Sequence, residues 1–360
     1  MISEGEFPSV ALSQSRDRFV RVSIAVHLPR VISTFGVDPD LLISRVGLSR
    51  SLFDDPDNRI DYYKLAQLCE DASNASGCEY FGLLLGSYGS LETLGQVGAH
   101  AAHTKIVGDA IGRIIDSFRE HDTGAVLDID HAEGASGLRY LVIDPQVRSG
   151  AQITLGAITI GYRILQQFSD GHFIAKSVKL PMREPRNPTV IAEFFKCPIH
   201  FDSAIGGLFF DSRWLATSLP ESEQTARGNA GAPQRSLPDS PPDKVDASAE
   251  IIAAALLRRV FAGMPAGAES LASDFNFNRR TLHRRLSRAG TSFQELRDAI
   301  VAGLAQRFLN DTDIPVSDIA ILLGYSELSA FTRAFRGWRA ISPSEYRDAR
   351  LSTPHRQEQL

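Results

Sequence analysis

Residues 316–347 read VSDIAILLGYSELSAFTRAFRGWRAISPSEYR, and this stretch decides the fold of the last third of the chain. Val316, Ile319, Ala320 and Leu323 fall at helical spacing, Gly324 supplies a tight turn, and Ser326 is placed to cap a second helix. That second helix is expected to bury Leu328, Phe331, Phe335 and Trp338 on one stripe. Its other face would present Glu327, Ser329, Ala330, Arg333 and Arg336. A short helix, a tight turn and a second helix with a small, polar and arginine-bearing outer face form a helix-turn-helix pattern. In such a motif the second helix enters the major groove of duplex DNA.

A less regular but more basic copy lies upstream. Leu271, Ala272 and Phe275 make a short apolar helix, and Asn276 stands where a glycine turn is usual. Asparagine is one of the few residues that tolerate the left-handed conformation such a turn needs. Asn278 is placed to cap a helix RRTLHRRL over 279–286, with Leu282 and Leu286 facing inward. Arg279, Arg280, His283, Arg284 and Arg285 then leave an outward face of hydrogen-bond donors and positive charge, suited to guanine edges or phosphates.

Between the copies, Leu296, Ile300, Leu304 and Phe308 share one face of a connecting helix of roughly 14 residues, about 21 Å long. Such a strut suits two recognition helices in successive major grooves, about 34 Å apart along one face of the duplex. The implied target is a pair of unlike boxes read by one monomer. Two other readings use the same residues. One is a helical bundle whose arginines only solvate its surface. The other is a protein-interaction module, with a dimerising, ligand-free N-terminal domain, whose arginines grip an acidic partner.

The segment from Glu269 to Arg347, about a fifth of the chain, resembles the DNA-binding domain of the AraC/XylS family of bacterial transcription regulators. The second-half signature of that family, roughly I-x-x-I-A-x-x-x-G-F-x-x-x-x-x-F-x-R-x-F-x-x-x-x-G-x-S-P-x-x-Y-R, is met by Val316, Ile319, Ala320, Gly324, Tyr325, Phe331, Arg333, Phe335, Ser342, Pro343, Tyr346 and Arg347. Leu282, Arg284, Leu286, Gly290, Ser292 and Phe293 match the first half. Ala340 replaces the usual glycine before Ser-Pro, Tyr325 the commoner phenylalanine, and Val301 an arginine of the connecting helix. The resemblance implies that Arg280, His283 and Arg284 read a first box, and that Leu328, Ser329 and Arg333 read or clamp a second. Thr332 and Arg336 fall at the backbone. Asn278 and Arg279, with Ser326 and Glu327, complete the candidate DNA-contacting set at the heads of the two helices. Double-stranded promoter DNA and RNA polymerase are the partners implied.

Charge follows the same division. Residues 250–360 hold 15 Arg and no Lys against 12 acids, a net +3. The chain's 38 basic and 43 acidic residues leave 23 and 31 for the rest, a net −8. An acidic chain with its positive charge gathered on recognition elements is unlike a nonspecific DNA coat.

The break is expected at 221–246, where ESEQTARGNAGAPQRSLPDSPPDKVD is rich in Pro, Ser, Gly, Ala and charge, the composition of a flexible linker. The ends, before about Arg16 and after Arg350, also read as loose. The expected organisation is an α+β sensor domain over 17–220 and an all-α tandem helix-turn-helix domain over 247–350. Helical periodicity runs through Val22–Phe35, Asp61–Leu85 and Val107–Glu120. Ala125–Asp130 and Leu138–Ile143 read as a hairpin around a Gly-rich turn. A helix over Ala151–Phe168, a strand over Phe173–Leu180, a helix over Pro188–Phe195 and a closing strand at Gly207–Phe210 follow. This layout, with segments such as Leu83-Leu84-Leu85-Gly86 and Thr93-Leu94-Gly95, resembles the arabinose-binding-like N-terminal domain of one branch of the same family.

Catalytic and phosphate-binding motifs are absent: no G-x-G-x-x-G, no Walker-type loop, no H-E-x-x-H and no G-x-S-x-G. Cys69, Cys78 and Cys197 are too few and scattered for a zinc site, a disulfide framework or the four-cysteine cluster of DNA-repair methyl acceptors with this motif. No enzyme activity, cofactor or metal is expected, although His100, His103 and His121 are the histidines nearest to a set. With no signal peptide and no apolar run of membrane length, a cytoplasmic location follows. The N-terminal domain is expected to bind a small organic effector in an apolar pocket, with Tyr140, Tyr162, Phe168, Phe173 and Phe209 as candidate lining, or else to form a homodimer.

Overall fold

The computed structural model describes residues 18–132, 134–220, 249–261 and 266–351, divided between two compact units, one before position 221 and one after 248. The expected linker at 221–246 and the loose ends lie outside the described residues, apart from Leu351, the last residue of the final helix.

The first unit opens with a two-stranded antiparallel ribbon, β1 (Phe19–Arg21) on β2 (Arg59–Asp61), enclosing helices α1 (Leu28–Ser33) and α2 (Pro39–Arg45). The helix expected over 22–35 is therefore only six residues long. Its first residues, Val22–Ile24, form a 3-10 turn after β1, where the Val22 and Ser23 amides bond to the carbonyls of Asn58 and Pro56. The run expected as one helix over 61–85 is two, α3 (Tyr62–Ser76) and α4 (Phe81–Gly86). Gly77, at φ +66°, turns the chain out of α3, and the Cys78 amide reaches back to the Ser73 carbonyl. Helices α5 (Gln96–Ala102) and α6 (Val107–His121) follow.

The main sheet contains β3 (Ala125–Ala132), β4 (Ala135–Val142), β5 (Ala175–Lys179), β6 (Ile199–His200) and β7 (Gly206–Asp211) in the order β3-β4-β7-β5-β6. All pairs are antiparallel except β5 with β6, which run parallel and are joined through α8 (Thr189–Phe195). The hairpin strands extend further into the Gly-rich stretch than expected, because Ser136 and Gly137 pair on both sides, with β3 and β7. The strand expected to close the sheet is at its centre, where Leu208 lies opposite Leu138 on one side and Val178 on the other.

Helix α7 (Ala151–Gln167) packs on β4 and β7 and crosses α4 with backbones nearly touching. A Cβ on Gly86 would sit 2.5 Å from the Gly156 carbonyl oxygen, so the glycine of the Leu-Leu-Leu-Gly segment is needed for this approach. Mixed helices over a mainly antiparallel sheet give the expected α+β class.

The second unit is all helical: α9 (Ala249–Phe261), α10 (Ala268–Ser273), α11 (Arg279–Arg288), α12 (Phe293–Asp311), α13 (Val316–Leu322), α14 (Leu328–Arg339) and α15 (Pro343–Leu351). Arg259 on α9 grips Asp274 with two hydrogen bonds, 2.6 and 2.5 Å, and fixes the end of α10. The connecting helix α12 has 19 residues rather than the expected 14, about 28 Å. The added length comes from its start, where Ser292 and Glu295 form a reciprocal capping box, and from its last turn. It is buried almost all round from Ile300 to Leu309, Val301 included. The arginine usual at that position in the family is thus replaced by a side chain that completes the core.

Candidate nucleic-acid interface and sensor cavity

In the first helix-turn-helix, α10 turns into α11 through Asn276 at φ +53°, the left-handed conformation expected of it. Asn278 then caps α11, its side-chain oxygen accepting from the Thr281 amide at 2.8 Å. Leu282 and Leu286 are buried, while Asn278, Arg279, Arg280, His283 and Arg284 are exposed. Arg280, His283 and Arg284 fall three and four residues apart, so they share one stripe. Arg285 departs from the expectation of a wholly outward set. Its guanidinium lies 4.4 Å from the ring centre of Phe277, half-buried, and covers that ring. Arg288 is exposed at the end of the helix and adds a cation the sequence reading did not single out.

In the second motif, α13 ends at Gly324, φ +83°, and α14 starts at Leu328. Ser326 is not its cap. Glu327 holds the N-cap position in an extended conformation, and its carboxylate accepts from the Ser329 hydroxyl at 3.0 Å. Phe331 and Phe335 are fully buried and Trp338 half-buried, as the stripe required. Leu328, expected within that stripe, is instead 46% exposed, because the helix begins there and the core starts one turn later at Phe331. The outer face therefore carries Ser326, Glu327, Leu328, Ser329, Arg333 and Arg336, all exposed, with Thr332 half-buried beside them.

What holds α14 in place was not legible from spacing. Gln306, buried in α12, accepts from the Arg339 guanidinium and donates to the Tyr346 hydroxyl at 3.1 Å. Arg347 donates to the Ile314 carbonyl at 2.8 Å, and the Phe335 and Tyr346 rings meet edge-on at 5.5 Å. The Tyr-Arg pair ending the signature thus braces the motif. Ala340 keeps the turn of the usual glycine: it sits at φ +62°, a left-handed C-cap bonded to the Arg336 carbonyl.

The N-terminal unit contains a cavity of about 90 Å³ between the sheet and helices α3, α4, α6 and α7. Its wall is mostly aliphatic, with Leu65, Leu85, Ile111, Ile114, Leu127 and Ile153 among its members. Its polar side chains are His121, Asp122, Tyr140 and Gln152, together with the Cys69 thiol, whose pKa burial raises. Of the five aromatic residues proposed as lining, only Tyr140 reaches it. Tyr162, Phe173, Phe194, Phe195 and Phe210 instead stack on one another at 5.2–5.9 Å as core. Phe168 is buried, and Phe209 lies under the Lys179 ammonium.

Asp122 is fully buried. One carboxylate oxygen accepts from the amides of Gly124 and Ala125, and the other accepts from the Tyr140 hydroxyl. Burial outweighs those bonds and raises the pKa of its carboxyl to about 7. Burial, helped by the charge of Arg21, lowers the His121 imidazole to about 3. His121 is therefore neutral near pH 7, and its Nδ1 is buried with no hydrogen-bond partner. In the sequence His121 stands out only as one of the three histidines nearest to a set, and Asp122 carries no signal beyond polarity at the end of an amphipathic helix. His100, half-buried, and His103, exposed and bonded to the Ala99 carbonyl, do not join it in a metal-binding group. No helix among the described residues is long and apolar enough to cross a membrane.

Two helix-turn-helix motifs in one unit, each with an exposed, arginine-bearing second helix, define a DNA-binding transcription regulator. The model of the N-terminal arabinose-binding domain of the AraC transcription regulator matches residues 36–219, and a helix-turn-helix domain model matches 271–349, so the chain belongs to the AraC family of regulators. The ornithine utilization regulator of Pseudomonas aeruginosa is 25% identical over 337 residues, 92% of this chain and 96% of its own length. The transcriptional regulator VirS of Mycobacterium tuberculosis is 25% identical over 319 residues, 87% and 91% of the two chains. The crystal structure of the transcriptional regulator CdpR from Pseudomonas aeruginosa aligns with a TM-score of 0.38 at 20% identity, over 89% of this chain and 97% of that one.

Proposed function

We propose that the chain is an effector-responsive activator whose single subunit reads two unlike DNA boxes in adjacent major grooves. The observation that carries this reading is the pair of exposed faces, Arg280–His283–Arg284 on α11 and Leu328–Ser329–Arg333 on α14, built around one buried strut, α12. Arg280 and Arg284 are suited to bidentate contact with guanine, Leu328 to a thymine methyl, and Arg279, Arg336 and the helix N-termini to phosphates. The N-terminal unit, with its interior cavity, serves as the sensor. By linkage, an effector that favours the DNA-engaged state lowers the DNA dissociation constant by the same factor that DNA tightens the effector, typically ~1–3 kcal/mol of coupling. Bound beside a promoter, such a subunit recruits RNA polymerase.

The test is spacing. On a duplex carrying both boxes, inserting five base pairs turns one box to the far side of the duplex, and inserting ten restores its face but not its distance. A rigid two-headed monomer loses affinity on both insertions. Full recovery at ten would contradict the strut and favour two subunits on a flexible tether.

A further inference from the structure

Resting on the reading of the N-terminal unit as a sensor, we propose that its cavity takes a small, uncharged, largely apolar molecule bearing one hydroxyl or carbonyl group, and that His121 holds that group.

The argument is one of unmet partners. Tyr62 and Tyr140 share a hydrogen bond at 2.8 Å, Tyr140 donates to Asp122 at 2.9 Å, and Asp122 also accepts from two amides. Gln152 accepts from the Gly82 amide and donates to the Glu79 carbonyl. Among the side-chain nitrogen and oxygen atoms of these wall residues, the one buried without a partner is Nδ1 of His121, in a side chain 2% exposed. A buried polar atom without a partner is destabilising, and a ligand bonded to it removes that cost.

The rest of the wall selects against charge and against many hydroxyls. No Lys or Arg lines the cavity. Arg21, whose charge is felt at His121, is ion-paired with Asp57 and is not part of the wall. A carboxylate would lose its hydration with no cationic side chain in the wall to replace it, and an ammonium would find only Asp122, whose oxygens already accept three hydrogen bonds. A pentose would bury several hydroxyls against aliphatic side chains with one free partner among them. Arabinose, the sugar in the family's name, is therefore a poor fit to this cavity. At about 90 Å³ the space is below the ~150 Å³ of an apolar cavity that takes benzene, so the occupant is of that size at most.

The experiment uses the full-length protein and four probes at matched concentration: 1-pentanol, 2-pentanone, pentanoate and arabinose. Binding is read by calorimetry and by the ¹⁵N resonance of the His121 ring. The alcohol and ketone should bind saturably and move that resonance, while pentanoate and arabinose do not. In His121→Phe, 1-pentanol should weaken roughly five- to tenfold, as for one lost hydrogen bond. If that variant fails to fold, the His121 resonance in the unaltered protein decides. Preference for pentanoate or arabinose, no saturable binding of either neutral probe, or an unmoved His121 resonance overturns the proposal. DNA affinity measured with 1-pentanol bound tests the sensor reading separately: an unchanged affinity rejects the coupling and leaves the ligand chemistry standing.

Discussion

The Asp122 carboxylate and the Tyr140 hydroxyl meet at 2.9 Å, both buried, beside the one cavity-wall imidazole. Tyr140 in turn is 2.8 Å from the Tyr62 hydroxyl, so a short chain of hydrogen bonds ties α3, the end of α6 and the inner face of β4 together. Two adjacent residues, His121 and Asp122, are displaced in opposite senses by the same burial, and that has a measurable signature.

Asp122 holds its proton to about pH 7 when folded, against an ordinary value of about 3.9 when unfolded. Its protonated form contributes stability that is lost as pH rises through that window. His121 titrates near 3 when folded and about 6.5 when unfolded, so it contributes stability lost as pH falls through its own window. Between about pH 4 and 6.5 the two slopes oppose each other. Asp122→Asn should therefore gain stability relative to the parent as pH is raised from 4 to 7, and level off above. His121→Asn should show the reverse trend, losing stability relative to the parent up to about pH 6.5. Urea denaturation followed by Trp214 fluorescence, in a Trp338→Phe background, checks both signs.

Ala340 occupies a left-handed conformation where the family usually has glycine. Its Cβ costs about 1–2 kcal/mol there, offset in glycine by a looser unfolded chain. Ala340→Gly should stabilise the helical unit by about 0.5–1 kcal/mol without altering DNA specificity. A lower melting temperature for the variant would mean that the turn is not left-handed.

Phe331 is the centre of the second motif, fully buried against Tyr325 and Phe335. Phe331→Ala should cost about 3–5 kcal/mol and abolish recognition of the second box. Leu328→Ala, one turn earlier and exposed, should leave folding unchanged and relax the base preference at one position. Circular dichroism with binding to single-base variants separates the two. Normal second-box binding by Phe331→Ala would overturn the helix phasing.

Arg284 is exposed on the shared stripe of α11. Arg284→Ala should cost about 1–3 kcal/mol on the cognate site and broaden specificity within the first box. An equal loss on every sequence would make it a phosphate contact instead.

Much of the helical unit was legible because its turns depend on local chemistry: Asn276 and Gly324 at positive φ, Asn278 as a cap, and Phe331 and Phe335 at helical spacing. The misreadings have local causes too. Spacing alone puts the cap at Ser326, one residue too early, and Leu328 inside. Arg285 reads like its neighbours because nothing in the spacing places Phe277 beneath it. In the N-terminal unit the three-residue ribbon strands are too short to show alternation. Gly77 breaks a helix whose apolar periodicity continues across it. The cavity is assembled from residues between Ile24 and Leu208, so no window of sequence could show it.

The central claim is that one chain reads two different boxes, and selection of bound duplexes from a random library tests it most directly. With the full-length protein at physiological salt, the account predicts enrichment of two unlike boxes about one helical turn, ~10 base pairs, apart in fixed orientation. An enriched inverted repeat, or weak salt-sensitive binding with no enrichment, would contradict it.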